Sequence, residues 1–567
     1  MESTENPLKN RVPKLNELFK LSKLLGHREK YTVIALGLIC LIGLTGAIAL
    51  ASRAFSILTP MRGGTINEGG VGTVRFINPL LARSDVDKDL TMLVYSGLLR
   101  LGPDETMLPD LAERYELSPD GRVYTFHLRP NLLWQDGEEL TGDDIVFTIK
   151  LAQSNAIKSP RQANWDGINI SSPDPRTVII ILKQPYAPFL ENTTLGILPK
   201  HIWQNVSVED FPLSQFNLRA VGSGPYKISD IKTGTAGTVE TLVLKSFDDF
   251  ALGKAHIKNL IMRVYNDEQT LSSAFDKGEV TSASDISTQK AKALIVDGQR
   301  ILTPKLTRLF AVFFNSNQAN IFSDQKVRQA LDLAIPREKI ITQALDGFAL
   351  AQSSILVTGE KMASTSDVTQ AEKLLDASGW KKDKNGQRVK KDQVLEFTLA
   401  TSDSPELVKT ATIISQEWQK IGVKVNIKSY EVSDLNSSII RPRKFDALLF
   451  GEQLGHIPDL YPFWHSSQRL DPGLNVAQYT NRRVDDIVEK LRVTIDNRLR
   501  QNLYIEFANE IDKDTPVIFL YSPFYLYAPN KLVKNITLNN LSSSEERFVN
   551  IYNWYILNER IWPIFVK

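Results

Sequence analysis

The sequence predicts an α/β fold that follows an N-terminal transmembrane helix. The first observation is the apolar run at 31–52, the most apolar stretch in the 567 residues. The second is the strand–helix–strand order of Phe397–Thr401, Glu406–Ile421 and Val423–Ile427, which indicates a small α/β lobe. The third is the spread of 27 prolines and 31 glycines along the chain, which is typical of a mixed α/β protein with many loops.

The apolar run Tyr31–Ser52 contains 22 residues without a charge. A helix of about 20 apolar residues spans the hydrocarbon core of a bilayer. The basic residues close to the run are Lys20, Lys23, Arg28 and Lys30 before it and Arg53 after it. Because positive flanks stay in the cytoplasm, we expect a single-pass protein of the cell membrane with a cytoplasmic N-terminus and an extracytoplasmic body. The predicted segments are a cytoplasmic basic leader at 1–30, a transmembrane anchor at 31–52 and a linker at 53–62.

Two other interpretations of the apolar run stay open. A cleaved signal peptide would end near Ala49-Leu50-Ala51, which has the small-x-small pattern of a cleavage site. A buried core helix would also be apolar. The 30-residue leader and the length of the run favour an uncleaved anchor over both alternatives.

The charge of the chain is nearly balanced, with 67 lysines and arginines against 65 aspartates and glutamates, a net charge of +2. Residues 1–60 hold eight basic and four acidic residues, so they carry +4, and the remaining 59 basic and 61 acidic residues carry −2. A nucleic-acid-binding protein would show a strong basic excess. We therefore expect no nucleic-acid partner.

Local patterns predict further elements of the body. Alternating apolar residues predict strands at Arg122–Leu128 and Thr177–Leu182. Thr141 is suited to cap a helix that has acidic residues in its first turn. Helical spacing of apolar residues predicts a helix at Ser323–Ala334 and one long amphipathic helix at Val484–Asp512.

The residue patterns predict neither catalysis nor metal binding. The single cysteine, Cys40, lies inside the apolar run, which excludes disulfides, thiolate zinc sites and cysteine nucleophiles from the exported part. The six histidines form no HExxH or His-x-His pair, and no GxSxG motif occurs. Gly69-Gly70-Val71-Gly72 lacks the spacing of a phosphate-binding loop, so we expect a flexible loop there. We expect no catalytic residue, no metal and no cofactor.

A series of short motifs follows along the body. The longest is LWQDGEELTGDDIVF at Leu133–Phe147. The others are NPL at 78–80, YSGL at 95–98, PDLA at 109–112, KQPYAPF at 183–189, LPKH at 198–201, GSGPYK at 222–227, FN at 314–315, VRQAL at 327–331 and ASGW at 377–380. Each motif alone is weak, but ten of them in this order are specific.

In this order the motifs resemble family 5 of the extracellular solute-binding proteins of ABC importers, the oligopeptide-, dipeptide- and nickel-binding proteins, over about residues 63–535. The resemblance implies a periplasmic-binding-protein-like fold of type II in its large, three-lobe form. Two α/β lobes are joined by a hinge, and a further lobe is inserted in the first. The implied boundaries are 63–92, 216–314 and 516–567 for lobe I, 93–215 for the inserted lobe II, and 315–515 for lobe III.

The same resemblance implies the function. Lobes I and III would close over a peptide or a similar small solute, and the protein would deliver it to the permease subunits of an ABC importer. The protein would be a monomer and would perform no chemistry on its ligand, so we expect no enzyme. A membrane-anchored ligand sensor or scaffold, and the binding of a non-peptide solute, are the alternatives.

One segment departs from the family pattern. Peptide-binding members place an aspartate that pairs with the ammonium of the peptide in a segment like GW-x-x-D-x-x-DP, whereas this chain has FGEQLGHIPDLY at 450–461. Because a buried ammonium needs a paired charge, we hypothesise that Glu452 or Asp459 faces the cleft instead. The residues predicted to bind the ligand are Glu452, Gln453, Asp459, Trp464 and Asn315.

Overall fold

A computed structural model describes residues 26–102, 104–234, 237–355 and 366–562. Residues 1–25, which form most of the predicted basic leader, lie outside the described residues. The chain forms two compact units. The first consists of Met1–Met61 and Leu557–Lys567, and the second, called the body below, is Arg62–Ile556.

The first unit contains one long helix, His27–Phe55, called the anchor helix below. It includes the whole predicted run at 31–52 and extends it by several residues at each end. Among the described residues it is the one helix that is long and apolar enough to cross a membrane. The predicted linker at 53–62 contains the end of this helix and the strand Ile57–Met61, which pairs antiparallel with Leu557–Ile561. This two-stranded sheet is called the terminal ribbon below.

Sheet A is the first sheet of the body. Its five strands lie in the spatial order Ser282–Ala283, Thr65–Val71, Asn259–Tyr265, Val239–Ser246 and Tyr226–Thr233. The first three strands run parallel and the last two join antiparallel. The helices that accompany this sheet are Asp85–Val94, Glu268–Asp276 and Thr288–Val296.

The glycine-rich stretch at 69–72 is not the flexible loop that we expected, because most of it belongs to the central strand Thr65–Val71. A Cβ atom on Gly69 would overlap the side chain of Leu271. Glycine therefore lets the helix Glu268–Asp276 pack directly on the strand, because a larger residue there would displace the Leu271 side chain. Sequence spacing alone does not distinguish this use of glycine from a loop.

Sheet B is antiparallel, and its four strands lie in the order Ala112–Leu117, Val123–Leu128, Thr177–Ile181 and Asn169–Asp174. The two strands predicted in this region are confirmed to within one residue. The predicted helix is also confirmed, as Gly142–Gln153, and the Asp144 carboxylate accepts a hydrogen bond from the Thr141 backbone N–H at 2.9 Å. A hairpin of Leu99–Leu101 and Met107–Pro109 precedes the sheet.

Sheet C has six strands in the order Ala349–Ala351, Val517–Pro523, Arg308–Phe314, Ala447–Gln453, Glu396–Ser402 and Lys424–Tyr430. Its helices are Gln325–Leu333, Arg337–Ala344, Val368–Ala377, Pro405–Lys420, Arg482–Val493 and Asn497–Asp514. The predicted strand–helix–strand unit is confirmed, and its two strands pair in parallel. A small three-stranded sheet lies at Lys381–Lys382, Arg388–Lys390 and Gln393–Val394.

The prediction of one helix at Val484–Asp512 is wrong, because the chain breaks it at 494–496. The Asp496 carboxylate caps the second helix by accepting a hydrogen bond from the Leu499 N–H at 2.8 Å. The break also brings Ile495 against Gly121, beside sheet B. The apolar spacing continues on both sides of the break, so periodicity alone gave no sign of it.

The three sheets follow the order of the three predicted lobes. The strands Arg308–Phe314 and Val517–Pro523 pair within sheet C, although the predicted boundaries assign both segments to lobe I. The exact lobe boundaries therefore stay a prediction, and the sheets are used below to describe position.

A buried ion cluster joins sheet A to the C-terminal part of the body. The Arg547 guanidinium contacts both Asp89 carboxylate oxygens at 2.6 Å and Glu68 Oε1 at 3.2 Å, and Tyr527 Oη donates to Glu68 Oε2 at 3.0 Å. The side chains of Arg547 and Glu68 are fully shielded from solvent. Burial raises the pKa of Asp89 to about 7, although the positive charge of Arg547 opposes the rise. Such charges are tolerated in an interior only while they stay paired.

We predict that Arg547→Ala destabilises the body by about 3–5 kcal/mol, because it leaves two buried carboxylates without their cation. The shift of the urea unfolding midpoint of the full chain in detergent micelles measures this change. The matched control is Arg114→Ala, which removes an exposed ion pair with Glu116 and should cost under about 1 kcal/mol. Equal losses in the two variants would contradict a stabilising role for the cluster.

Candidate functional site

A cavity of about 540 Å³ lies where segments from the three predicted lobes meet in the body. Two parts of its wall come from the segments near Tyr95 and Asp110 and from residues within 160–165 and 191–196 of the inserted region. The others are Gln453 and His456, at and after the end of a strand of sheet C, and the C-terminal residues near Glu545. A concave site lined by both apolar and converging polar side chains is suited to a small ligand.

Several polar atoms in the cavity wall are buried and have no hydrogen-bond partner. They are Tyr95 Oη, Arg100 Nε, Asp110 Oδ1, His456 Nδ1 and Glu545 Oε2. An unpartnered buried polar group costs roughly 1–3 kcal/mol. These groups show that the wall around the cavity holds polar side chains that the protein itself does not fully satisfy.

The wall carries charges of both signs, and its two most buried charged residues are the acids Asp110 and Glu545. The basic residues of the wall are Arg83, Lys88, Arg100 and Arg161, and its other acids are Glu191 and Glu546. Burial raises the pKa of Asp110 to about 7, and nearby Arg100 and Arg129 only partly offset the effect. Burial also raises the pKa of Glu191 to about 7, although the hydrogen bond that the Ile457 N–H donates to its carboxylate lowers the pKa. Carboxyl groups whose charge is disfavoured in this way gain from a cation placed beside them. The cavity therefore suits a ligand with a positively charged group.

One side of the cavity is closed by contacts between the segment after sheet C and the C-terminal segment. His456 Nε2 lies 2.9 Å from Glu546 Oε2, and the Gln453 amide donates a hydrogen bond to the Ser542 carbonyl. Burial lowers the pKa of His456, but the hydrogen bond and the charge of Glu546 outweigh it, so the pKa is raised overall. The contact with Glu546 therefore favours the protonated form of His456.

A second connection joins the inserted region to the helices of sheet C. Arg492 Nη2 lies 2.9 Å from Asp459 Oδ2, and Tyr186 Oη donates to the same oxygen at 3.1 Å. The Arg492 guanidinium also lies over the Tyr461 ring, at 4.4 Å from its centroid. The Ala187 N–H donates to the Arg492 carbonyl at 2.7 Å. We call this group the Arg492 latch.

The two acids predicted to face the ligand have different surroundings. The Asp459 carboxylate is already neutralised inside the Arg492 latch. Glu452 is half-buried on a strand of sheet C, and no other described residue forms an ion pair or side-chain hydrogen bond with it. Burial raises the pKa of Glu452 to about 8. Its neighbour Gln453 lines the cavity, whereas Glu452 precedes it on the strand and is not part of the cavity wall.

The other two predicted residues lie away from the cavity wall. Trp464 is buried and packs against Tyr479, Phe507 and Phe519. Asn315 is buried in a turn, where its side-chain N–H donates to the Arg443 carbonyl at 2.9 Å. Both residues support elements of the sheet C region.

The acids of the cavity wall were not among the ligand-binding residues predicted from the sequence. Asp110 and Tyr95 lie inside the PDLA and YSGL motifs, so a polar side chain within an otherwise apolar motif was the available signal. Glu191 and Glu545 lie in no such motif, and only folding brings them to the cavity. Within the described ranges, no group of three histidine, cysteine, aspartate or glutamate side chains could hold a metal ion.

Residues 106–470 match the sequence model of the bacterial extracellular solute-binding proteins, family 5, middle part. The match covers more than half of the chain. The chain belongs to this family. It is accordingly a solute-binding protein with the periplasmic-binding-protein-like fold, and its family is not a catalytic one.

Relatives of this family-5 protein include the oligopeptide-binding protein AppA of Bacillus subtilis, which is 28% identical over 481 residues, 82% of this chain and 87% of AppA. The structure of AppA in complex with a nonapeptide superposes with a TM-score of 0.69 at 26% identity, covering 88% of this chain and all of AppA. NikZ from Campylobacter jejuni in complex with Ni(L-His) superposes with a TM-score of 0.70 at 28% identity, covering 87% of this chain and 99% of NikZ.

The raised pKa values of Asp110 and Glu191 predict how stability depends on pH. Their ordinary values are 3.8 and 4.5, so between about pH 4 and 7 the folded protein binds more protons than the unfolded chain. Stability must therefore fall as the pH rises through this window. We expect the ligand-free melting temperature to fall less steeply from pH 5 to 7.5 in the double variant Asp110→Asn, Glu191→Gln than in the wild type.

The control for this prediction is Asp120→Asn. Asp120 is exposed, and hydrogen bonds from Ser118 and Arg122 lower its pKa to about 2, so it stays ionised throughout the measured range. This variant should keep the slope of the wild type. A double variant whose slope also equals that of the wild type would show that the two acids do not titrate near neutral pH.

Proposed function

We propose that this protein is a membrane-anchored, extracytoplasmic solute-binding protein that captures a peptide and delivers it to the permease of an ABC importer. The ligand leaves chemically unchanged, and the protein acts as a monomer. The single observation that carries the proposal is the cavity at the junction of the three sheet regions, with the raised pKa values of its carboxyl groups Asp110 and Glu191. The anchor helix, which is long enough to span a bilayer, supports the attachment to the membrane.

A peptide fits the chemistry of the cavity better than a metal complex does. The amino terminus of a peptide is a cation, and nearby positive charges compensate the burial of the Asp110 and Glu191 carboxyl groups only in part. The nonapeptide bound by AppA supports this class of ligand, whereas the Ni(L-His) bound by NikZ is the precedent for a non-peptide solute. The described residues offer no cluster of metal ligands that would favour the second class.

We also propose roles for the five residues selected from the sequence. Glu452 and Gln453 contact the ligand at the edge of sheet C. Asp459 holds the closed state through the Arg492 latch and does not touch the ligand. Trp464 and Asn315 keep the surrounding segments in place from the core. Each of the three lobes would move as a unit. Lobe I would consist of 63–92, 216–314 and 516–567, lobe II of 93–215 and lobe III of 315–515.

We predict that Asp110→Asn weakens binding of a peptide with a free amino terminus by about 2 kcal/mol, roughly thirty-fold, because a buried carboxylate–ammonium pair is lost. The test starts with native mass spectrometry of the full chain to identify a co-purified ligand. Isothermal titration calorimetry then compares that peptide with its N-acetylated form, which keeps the shape and removes the cation.

Asp110→Asn should leave the affinity for the acetylated peptide unchanged, because the substitution and the acetylation remove the same carboxylate–ammonium pair. Asp120 is far less buried than Asp110, so Asp120→Asn serves as the matched control with both peptides. Equal weakening of both peptides by Asp110→Asn would refute recognition of the amino terminus. A chain that binds no member of a peptide library would refute peptide capture itself.

The two acids of the segment 450–461 should differ in kinetics. Glu452→Gln should lower affinity, because Glu452 contacts the ligand. Asp459→Asn and Arg492→Met should both speed ligand dissociation, by about ten-fold, because each breaks a charge-assisted contact of the latch. Surface plasmon resonance measures both rates. If neither Glu452 nor Asp459 variants change affinity or dissociation, the assignment of both acids is wrong.

A further inference from the structure

The terminal ribbon has an apolar face that the first unit itself does not cover. Its register pairs Ile57 with Ile561 and Met61 with Leu557. Directly paired residues of an antiparallel ribbon project to the same face, so these four side chains lie together, with Thr59 and Glu559 between them. None of the ten ribbon residues is buried.

A ribbon of this kind needs support from its surroundings. Two strands of five residues are marginally stable in water when they pack on nothing else. Here the two strands are 500 residues apart in sequence, so no tight turn helps their pairing. Exposed apolar side chains on such a small element indicate a surface that covers them.

The ribbon begins two residues after the anchor helix ends. The helix has 29 residues and is therefore about 43 Å long, more than the roughly 30 Å of a hydrocarbon core. A helix that spans the core has its end, Phe55, at the level of the lipid headgroups. Since two residues extend at most about 7 Å, the ribbon starts in the same layer.

Contacts between the helix end and the C-terminal strand fix the ribbon in this layer. The Trp562 ring stacks on the Phe55 ring with centroids 6.4 Å apart, and the Arg560 guanidinium donates a hydrogen bond to the Arg53 carbonyl at 2.9 Å. Trp562 is 38% exposed and Phe55 is 64% exposed. Aromatic rings beside basic residues are the side chains that favour the boundary between lipid and water.

We propose that the terminal ribbon is a second membrane contact, with its apolar face and Trp562 seated in the headgroup layer of the outer leaflet. This inference rests on the membrane anchoring proposed above. The occupant of the face is the lipid surface, because the ribbon continues directly from a membrane-length helix and carries the aromatic and basic residues of an interface. The C-terminal strand, and not only the helix, then holds the protein at the bilayer.

Tryptophan fluorescence tests this contact in the full-length protein. The chain has eight tryptophans, and the other seven, all buried in the body, are Trp134, Trp165, Trp203, Trp380, Trp418, Trp464 and Trp554. Vesicles of phosphatidylcholine with brominated acyl chains quench only tryptophans close to the lipid. We expect partial quenching relative to vesicles of unbrominated lipid, and Trp562→Phe should abolish it.

The double variant Ile57→Asp, Ile561→Asp should return the emission to the level in unbrominated lipid, because it places charges on the apolar face. The matched control is Leu213→Asp, which adds a charge at an exposed leucine of the body and should leave the quenching unchanged. Flotation of the vesicles on a density gradient reports anchoring in every sample.

The outcomes separate the two proposals. Protein that floats with the vesicles but shows equal emission in both lipids overturns the ribbon contact and leaves anchoring intact. Quenching that persists in Trp562→Phe also overturns it, because the signal then comes from another tryptophan. Protein that does not float overturns the anchoring on which the inference rests.

Discussion

The pairing of Arg547 with Glu68 and Asp89 is the constraint on which the body depends. It joins a central strand of sheet A and the helix Asp85–Val94 to the C-terminal turn, which lies more than 450 residues further along the chain. The same turn continues into Glu545 and Glu546, which line the cavity. Since a charge without its partner is costly in an interior, these segments hold each other in place. The part of the cavity wall formed by Glu545 and Glu546 is fixed with them.

The raised pKa values of the cavity carboxyl groups result from local burial and not from the overall charge of the chain. The chain carries a net charge of only +2, so its average field is weak. Under the proposed function, the distinction between ligands instead arises at a few carboxyl groups that burial removes from water, such as Asp110. In such places a single cation changes the ionisation of the protein, whereas the same cation on the surface would be screened by solvent and salt.

The fold was largely predictable from the sequence, because its signals are local. The anchor helix follows from one apolar run, the strands of sheet B from alternation, and the helix after Thr141 from its cap. The site was much less predictable, because its geometry depends on distant partners. Nothing near Asp459 in sequence indicates that Arg492 neutralises it, and nothing near Glu191 indicates that it reaches the cavity beside His456. The broken helix at 494–496 was missed for a related reason, since its apolar spacing is continuous and its break serves contacts with another region.

The Arg492 latch has a consequence for how long a solute stays bound. It joins the inserted region to the helices of sheet C, outside the cavity wall itself, and it includes both ionic and backbone hydrogen bonds. Under the proposed function, these bonds must open before a solute leaves the cavity, in addition to the solute's own contacts. The proposed function therefore separates the residues that set how long a solute is held from those that select it, so evolution can adjust the first without altering the second.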